Sequence, residues 1–193
     1  MSDAQDICNT KKHMLEMAFR ELSNYIKFDK PEKVDAIDIK TNGCDGCADL
    51  DLKIIAGTQN CYFSFMPAVN SLTDLWHFLE DIIVSTNTPS IYFADQEGPE
   101  AIFYIKKHKD GDITVTILEE GWYEFDIKNT GCKQVYNQEF SVTLNIKCNK
   151  KLFVKQMYKV FANYQNGVPK HSYCYNETRY KSDLIAKYLD NKL

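Results

Sequence analysis

The apolar positions change period along the chain. From about Thr10 to Lys27, Leu15, Ala18, Phe19, Leu22 and Ile26 recur at helical spacing, which predicts an amphipathic helix that cannot continue through Pro31. Three strands are predicted next: Lys33–Lys40, containing Val34, Ile37 and Ile39; Leu50–Ala56, alternating at Leu50, Leu52 and Ile54; and the aromatic-rich Asn60–Met66. Asn42-Gly43-Cys44-Asp45-Gly46-Cys47 reads as a turn, and Gly57-Thr58-Gln59 as a short hairpin connection. The helical period returns over Ser71–Ser85. There Leu72, Leu75, Trp76, Leu79 and Ile83 mark the face to be buried, Ser71 and Asp74 have capping-box spacing, and Pro89 follows the stop.

The middle of the chain favours strand at Ser90–Ala94, Ala101–Lys106, Asp112–Leu118, Trp122–Ile127 and a long run from Gln134 to Cys148, with polar turns between. Two helices are predicted to finish it. Lys151–Tyr164 places Phe153, Met157, Val160, Phe161 and Tyr164 on one face, and Glu177–Leu193 carries Tyr180, Leu184, Ile185, Tyr188 and Leu189. The order α-βββ-α-βββββ-αα lacks a βαβ alternation and a glycine-rich phosphate loop. It predicts one α+β domain over 1–193, a mostly antiparallel sheet with helices packed on one face. A strand leads into a helix at Tyr62–Met66 and again at Ser141–Cys148. An internal duplication would explain that echo, although the residues match poorly.

Composition adds limits. With 193 residues, 44% of them hydrophobic, the chain can bury a sizeable core and is not expected to be disordered. Met1–Lys12 has four charges and no apolar core of a signal peptide, and no window approaches the ~18 apolar residues of a membrane span. Seven cysteines cannot all pair internally. A cytoplasmic protein with reduced thiols is therefore expected, without a membrane partner.

Charge changes the picture more. The net charge of −4 argues against a generic basic nucleic-acid binder. It is unevenly spread. Residues 29–126 carry nineteen acids against seven bases, a net −12, and residues 127–193 carry twelve bases against four acids, a net +8. Within residues 72–100 there are six carboxylates and no Lys or Arg. Placed on one side of the fold, these acids would steer and hold a basic partner; packed against the basic third, they would be neutralised instead.

No motif names a reaction. Cys44-x-x-Cys47 has the spacing of half a zinc site, but neither a second C-x-x-C nor an H-x-x-x-H completes it. Cys8, His13, Cys61 and Cys132 are partners only if the fold gathers them, so packing cysteines are the plainer reading and no metal or other cofactor is expected. His77 has Asp74 at i−3 and Asp81 at i+4, a carboxylate–imidazole–carboxylate face that could serve a general base if buried. It lies opposite the apolar stripe, where a solvated histidine is the default. His13, His108 and His171 have no companion nucleophile in the sequence. Asp45, Asp49 and Asp51 do not fit a calcium loop, since Gly46 is misplaced and no closing Glu exists. The pairs Glu80–Asp81, Glu97–Glu100 and Glu119–Glu120 read as solvated charge. Lys151, Lys155 and Lys159 form an i, i+4, i+8 row that an anion could use, though Arg, the preferred phosphate reader, occurs only at 20 and 179.

The stretch Leu75-Trp76-His77-Phe78-Leu79-Glu80-Asp81-Ile82-Ile83, followed by Ser90-Ile91-Tyr92-Phe93-Ala94-Asp95-Gln96-Glu97-Gly98 and the strand Ala101–Lys106, resembles patterns in small bacterial immunity proteins of toxin–immunity systems. The resemblance covers about a sixth of the chain. It implies a cytosolic, non-enzymatic, often acidic protein that blocks a cognate toxin, and it assigns no residue a role. The expectation is therefore a protein-binding module that is not an enzyme. It would hold a basic protein partner, such as a toxin domain, through Asp74, His77, Asp81, Asp95, Glu97 and Glu100. The alternative is a metal- or thiol-dependent protein built on Cys44 and Cys47.

Overall fold

The computed structural model describes residues 20, 30–43, 50–65, 72–94, 101–120, 140–167 and 182–192. The chain forms β1 (Glu32–Lys33), β2 (Ile37–Gly43), β3 (Leu50–Ala56), β4 (Gln59–Phe65), α1 (Leu72–Val84), β5 (Ser90–Ala94), β6 (Ala101–Lys107), β7 (Asp112–Glu120), β8 (Phe140–Asn149), α2 (Lys150–Gly167) and α3 (Asp183–Leu189). This is the expected α+β fold. Its strands divide into two sheets, one ordered β1-β8-β7-β6-β5 and one ordered β2-β3-β4.

Period-two alternation builds both sheets. In the smaller one the antiparallel register aligns Ile37 with Ala56 and Ile39 with Ile54, and then Ile54 with Cys61. These residues share one buried face, while Lys40, Lys53 and Tyr62 point outward. Gly57 and Thr58 alone join β3 to β4. Gly57 has φ +59, as the first central position of a type II′ hairpin turn requires. In the larger sheet, β5 to β8 form an antiparallel meander, and β1 adds to β8 in parallel. Tyr92, Phe103, Ile105, Val115, Ile117, Leu144 and Ile146 face the main core. A one-residue register shift leaves Thr143 unpaired between Ile117–Leu144 and Leu118–Val142. The bulge turns Val142 and Phe140 of β8 to the reverse face, where they join Leu118 and Ile102 in a second apolar cluster.

The two sheets are stitched at the β8 edge. Gln59, on the buried face of the small sheet, donates from Nε2 to the Asn145 carbonyl at 3.0 Å and accepts from the Asn145 N–H at 2.7 Å. Its carboxamide thus pairs one residue of β8 as a neighbouring strand would, beside the short true strand β1. Glu32 of β1 closes the seam. It accepts from the Thr58 N–H at 2.9 Å, the Thr58 hydroxyl at 2.8 Å and Gln59 Nε2 at 3.2 Å.

The bonds from Thr58, backbone first, hold the Glu32 carboxyl below its ordinary value. A depressed carboxylate stabilises the fold above its unfolded pKa, about 4.3, and that share is lost as pH falls through the folded value. Glu32→Gln should therefore lower Tm more at pH 7 than at pH 3. An equal loss at both pH values in a thermal-melt series would refute the charge-based seam. A side chain at Gly57 would collide with the Glu32 carboxylate, so the turn and the seam require glycine together.

The three helices Leu72–Val84, Lys150–Gly167 and Asp183–Leu189 share one core with both sheets among the described residues. Trp76 of α1 meets Tyr158 and Phe161 of α2 edge-on, at 5.5 and 5.6 Å between ring centres. Several boundaries differ from the sequence reading. The predicted strand Lys33–Lys40 is broken at Val34–Ala36, so its ends serve different sheets. The helix predicted over Lys151–Tyr164 runs from Lys150 to Gly167, with Asn149 Oδ1 accepting from the Leu152 N–H. The final helix is only Asp183–Leu189: Ser182 caps its start, and Asn191 at φ 59 follows its end. Arg20 is helical. The rest of the predicted first helix, the turn cysteines Cys44 and Cys47, the acidic turn 95–100 and the predicted strand Trp122–Ile127 lie outside the described residues.

Candidate functional site

The outer side of α1 carries the described part of the expected site. With Leu75, Trp76, Phe78, Leu79, Ile82 and Ile83 buried, helical spacing turns Asp74, His77 and Asp81 to solvent, and all three are exposed. His77 pairs with Glu80. Its Nδ1 lies 3.0 Å from Glu80 Oε2, one turn on. The other Glu80 oxygen accepts from the Ser182 hydroxyl, which also caps α3 through the Ile185 N–H. His77 is exposed, and Glu80 ties α1 to α3.

Glu80 and Asp81 diverge, as adjacent helical residues must. Asp81 lies 3.6 Å from Lys107 Nζ, which donates to the backbone carbonyls of Asp81 at 3.1 Å and Thr88 at 3.0 Å. Lys150 Nζ reaches the Ile83 carbonyl at 3.4 Å. The last turn of α1 has no basic residue of its own, so β6 and α2 supply the cations that complement its carbonyls. The Lys107 side chain is only 5% exposed. Burial lowers its pKa, while Asp81 opposes that shift. Of these two cations only Lys150 comes from the basic third of the chain, and it meets a carbonyl, not a carboxylate. At the other end, Asp74 makes no hydrogen bond or ion pair among the described residues, and its charge raises the pKa of Tyr92, second to burial.

The five-residue return from α1 to β5 makes the two elements antiparallel, with the α1 start near the end of β5. Ala94 pairs with Ala101 at that end. The structure places Asp74, His77 and Asp81 on one helix; Asp95, Glu97 and Glu100 lie outside the described residues.

Among the described residues no group of three His, Cys, Asp or Glu side chains is gathered for a metal. Cys61 and Cys148 are buried, and burial, with minor contributions from Glu119 and Asp112 respectively, pushes both thiols up to about 12, far from nucleophilic thiolates. His108 Nε2 meets the Thr114 hydroxyl at 2.8 Å, a pair for which sequence spacing offered no signal. Lys151 of the basic row bonds Asn191 Oδ1 and lies over the Tyr188 ring, leaving Lys155 and Lys159 exposed. No described helix is long and apolar enough to cross a membrane. Comparison with known proteins returns no matching family model, curated protein or solved structure.

Proposed function

We propose that the chain is a non-catalytic binding module that neutralises a basic protein partner, in the manner of an immunity protein acting on a toxin domain in the bacterial cytoplasm. The observation that carries this reading is the exposed Asp74–His77–Asp81 side of α1. It belongs to a stretch of six carboxylates without Lys or Arg. Such a face accelerates encounter with a cationic surface and rejects anionic ones. Lys107 draws charge from the Asp81 end, so the first half of α1 is the stronger attractor.

Co-expression with the product of the adjacent open reading frame tests the reading. That product should arrest cells alone and be harmless beside this chain. A variant carrying Asp74→Asn and Asp81→Asn should protect less and lose much of the salt dependence of complex formation. A neighbour equally toxic with and without the chain, or a variant with unchanged affinity and salt response, would overturn it.

A further inference from the structure

Helix α2 is the electrostatic opposite of α1. Lys150–Gly167 contains four lysines and no carboxylate. Its buried side is Phe153, Val154, Met157, Val160 and Phe161. Helical spacing sets Lys155, Lys159 and Asn163 on the far side, and all three are exposed. Lys155 and Lys159 stand at i, i+4, where like charges repel. Neither ammonium group has a hydrogen bond or ion pair among the described residues.

The two helices do not neutralise each other within one molecule. They lie side by side and run in opposite directions, since Trp76 meets Tyr158 and Phe161 while the Ile83 carbonyl meets Lys150. Those contacts use the inner and flanking positions of each helix. The cation beside Asp81 is Lys107 of β6, not a lysine of α2. Lys151 turns to Asn191 and the Tyr188 ring. Asp74 on one helix, and Lys155 and Lys159 on the other, are therefore exposed charges without a counter-charge among the described residues.

We propose that the outer side of α2 docks a second copy of this chain: the Lys155–Lys159 strip of one copy holds the Asp74–His77–Asp81 side of α1 of the next. Charge complementarity selects this occupant, because the same molecule carries both strips. Their spacing agrees. Lysines ~6 Å apart along one helix fall between carboxylates ~10.5 Å apart along the other, so both can pair at once. The net charge of −4 does not prevent this, since charges more than ~10 Å away are largely screened at moderate salt. Exposed ion pairs are individually weak, so the contact is reversible and salt-sensitive. It joins unlike surfaces, so association grows with concentration or closes into a ring. One consequence rests on the proposed binding of a basic partner: a copy whose α1 is covered takes that partner only after α2 of its neighbour is displaced.

Sedimentation velocity of the full chain tests the docking without any other protein. The average mass should rise with concentration at about 0.02 M salt and return to that of the monomer at about 0.5 M. Lys155→Glu with Lys159→Glu should weaken self-association about tenfold or more, and so should Asp74→Lys with Asp81→Lys. The two charge-reversed variants mixed together should associate again, because each reversed strip meets its complement on the other; a folding defect could not produce that recovery. A wild type that stays monomeric at low salt would overturn the inference and leave the basic-partner reading standing. Association that survives reversal of α2, or reversed variants that stay apart when mixed, would overturn it as well. So would a monomeric wild type whose α2 lysines hold a labelled single-stranded oligonucleotide, which would assign the strip to a polyanion. Intact self-association in a chain that fails to protect cells would instead remove the basic-partner reading and leave the docking in place.

Discussion

Trp76→Ala should destabilise the protein by about 3–5 kcal/mol, as measured by guanidinium unfolding. The indole is about 1% exposed and joins α1 to Tyr158 and Phe161 of α2. Truncation would therefore open a cavity between α1 and α2. Trp76 also carries a buried Nε1–H with no acceptor among the described residues. Leaving such a donor unmatched costs about 1–3 kcal/mol. Trp76→Phe removes that donor along with part of the ring, so its two effects oppose, and its loss should be no more than half that of alanine. If Trp76→Phe proves as damaging as Trp76→Ala, the indole N–H has an acceptor, and the account of this contact fails.

Gln59→Leu should cost about 2–4 kcal/mol, since it leaves both backbone groups of Asn145, a buried residue, without their partners. Two further variants separate this from general strand damage. Asn60→Leu, on the exposed side of the same strand, should change stability by less than about 0.5 kcal/mol. Gln59→Glu keeps the shape but sets an anion against the Asn145 carbonyl and the Glu32 carboxylate, so it should be at least as damaging as leucine at pH 7 and recover part of the loss as it protonates. Urea unfolding of the three variants checks the order. Equal effects from Gln59→Leu and Asn60→Leu would remove the proposed seam.

Local period made the fold class legible. Alternation at Leu50, Leu52 and Ile54 is intrinsic to the segment, and so is the stripe of Leu75, Trp76, Leu79 and Ile83. Division into two sheets was not legible, because alternation says which side a residue faces and nothing about which strand lies beside it. Val34–Ala36 breaks a run that reads as continuous, and the Gln59–Asn145 pair spans 86 residues. The Ser182 cap was readable as a serine before Asp183, but apolar spacing from Tyr180 onward masked it. At the candidate site, exposure of Asp74, His77 and Asp81 followed from the stripe opposite them. The partner of His77 did not, because Asp74, Glu80 and Asp81 all lie within helical reach and the choice depends on Ser182, far along the chain. Lys107 was invisible for the same reason: it acts on α1 from another strand.

The helices cross between the sheets. α1 leaves the small sheet and lies against β5 of the large one; α2 leaves the large sheet and lies against β2 of the small one as well as the nearby end of β8. Each meander thus depends on the other's helix to cover its apolar face. A fragment ending before β5, or beginning there, would keep its hairpins and lose its roof. The two fragments mixed together should reconstitute what neither forms alone. In the intact chain the same exchange makes closure depend on contacts distant in sequence. Folding should therefore be a single, comparatively slow event in which both sheets acquire their cores together.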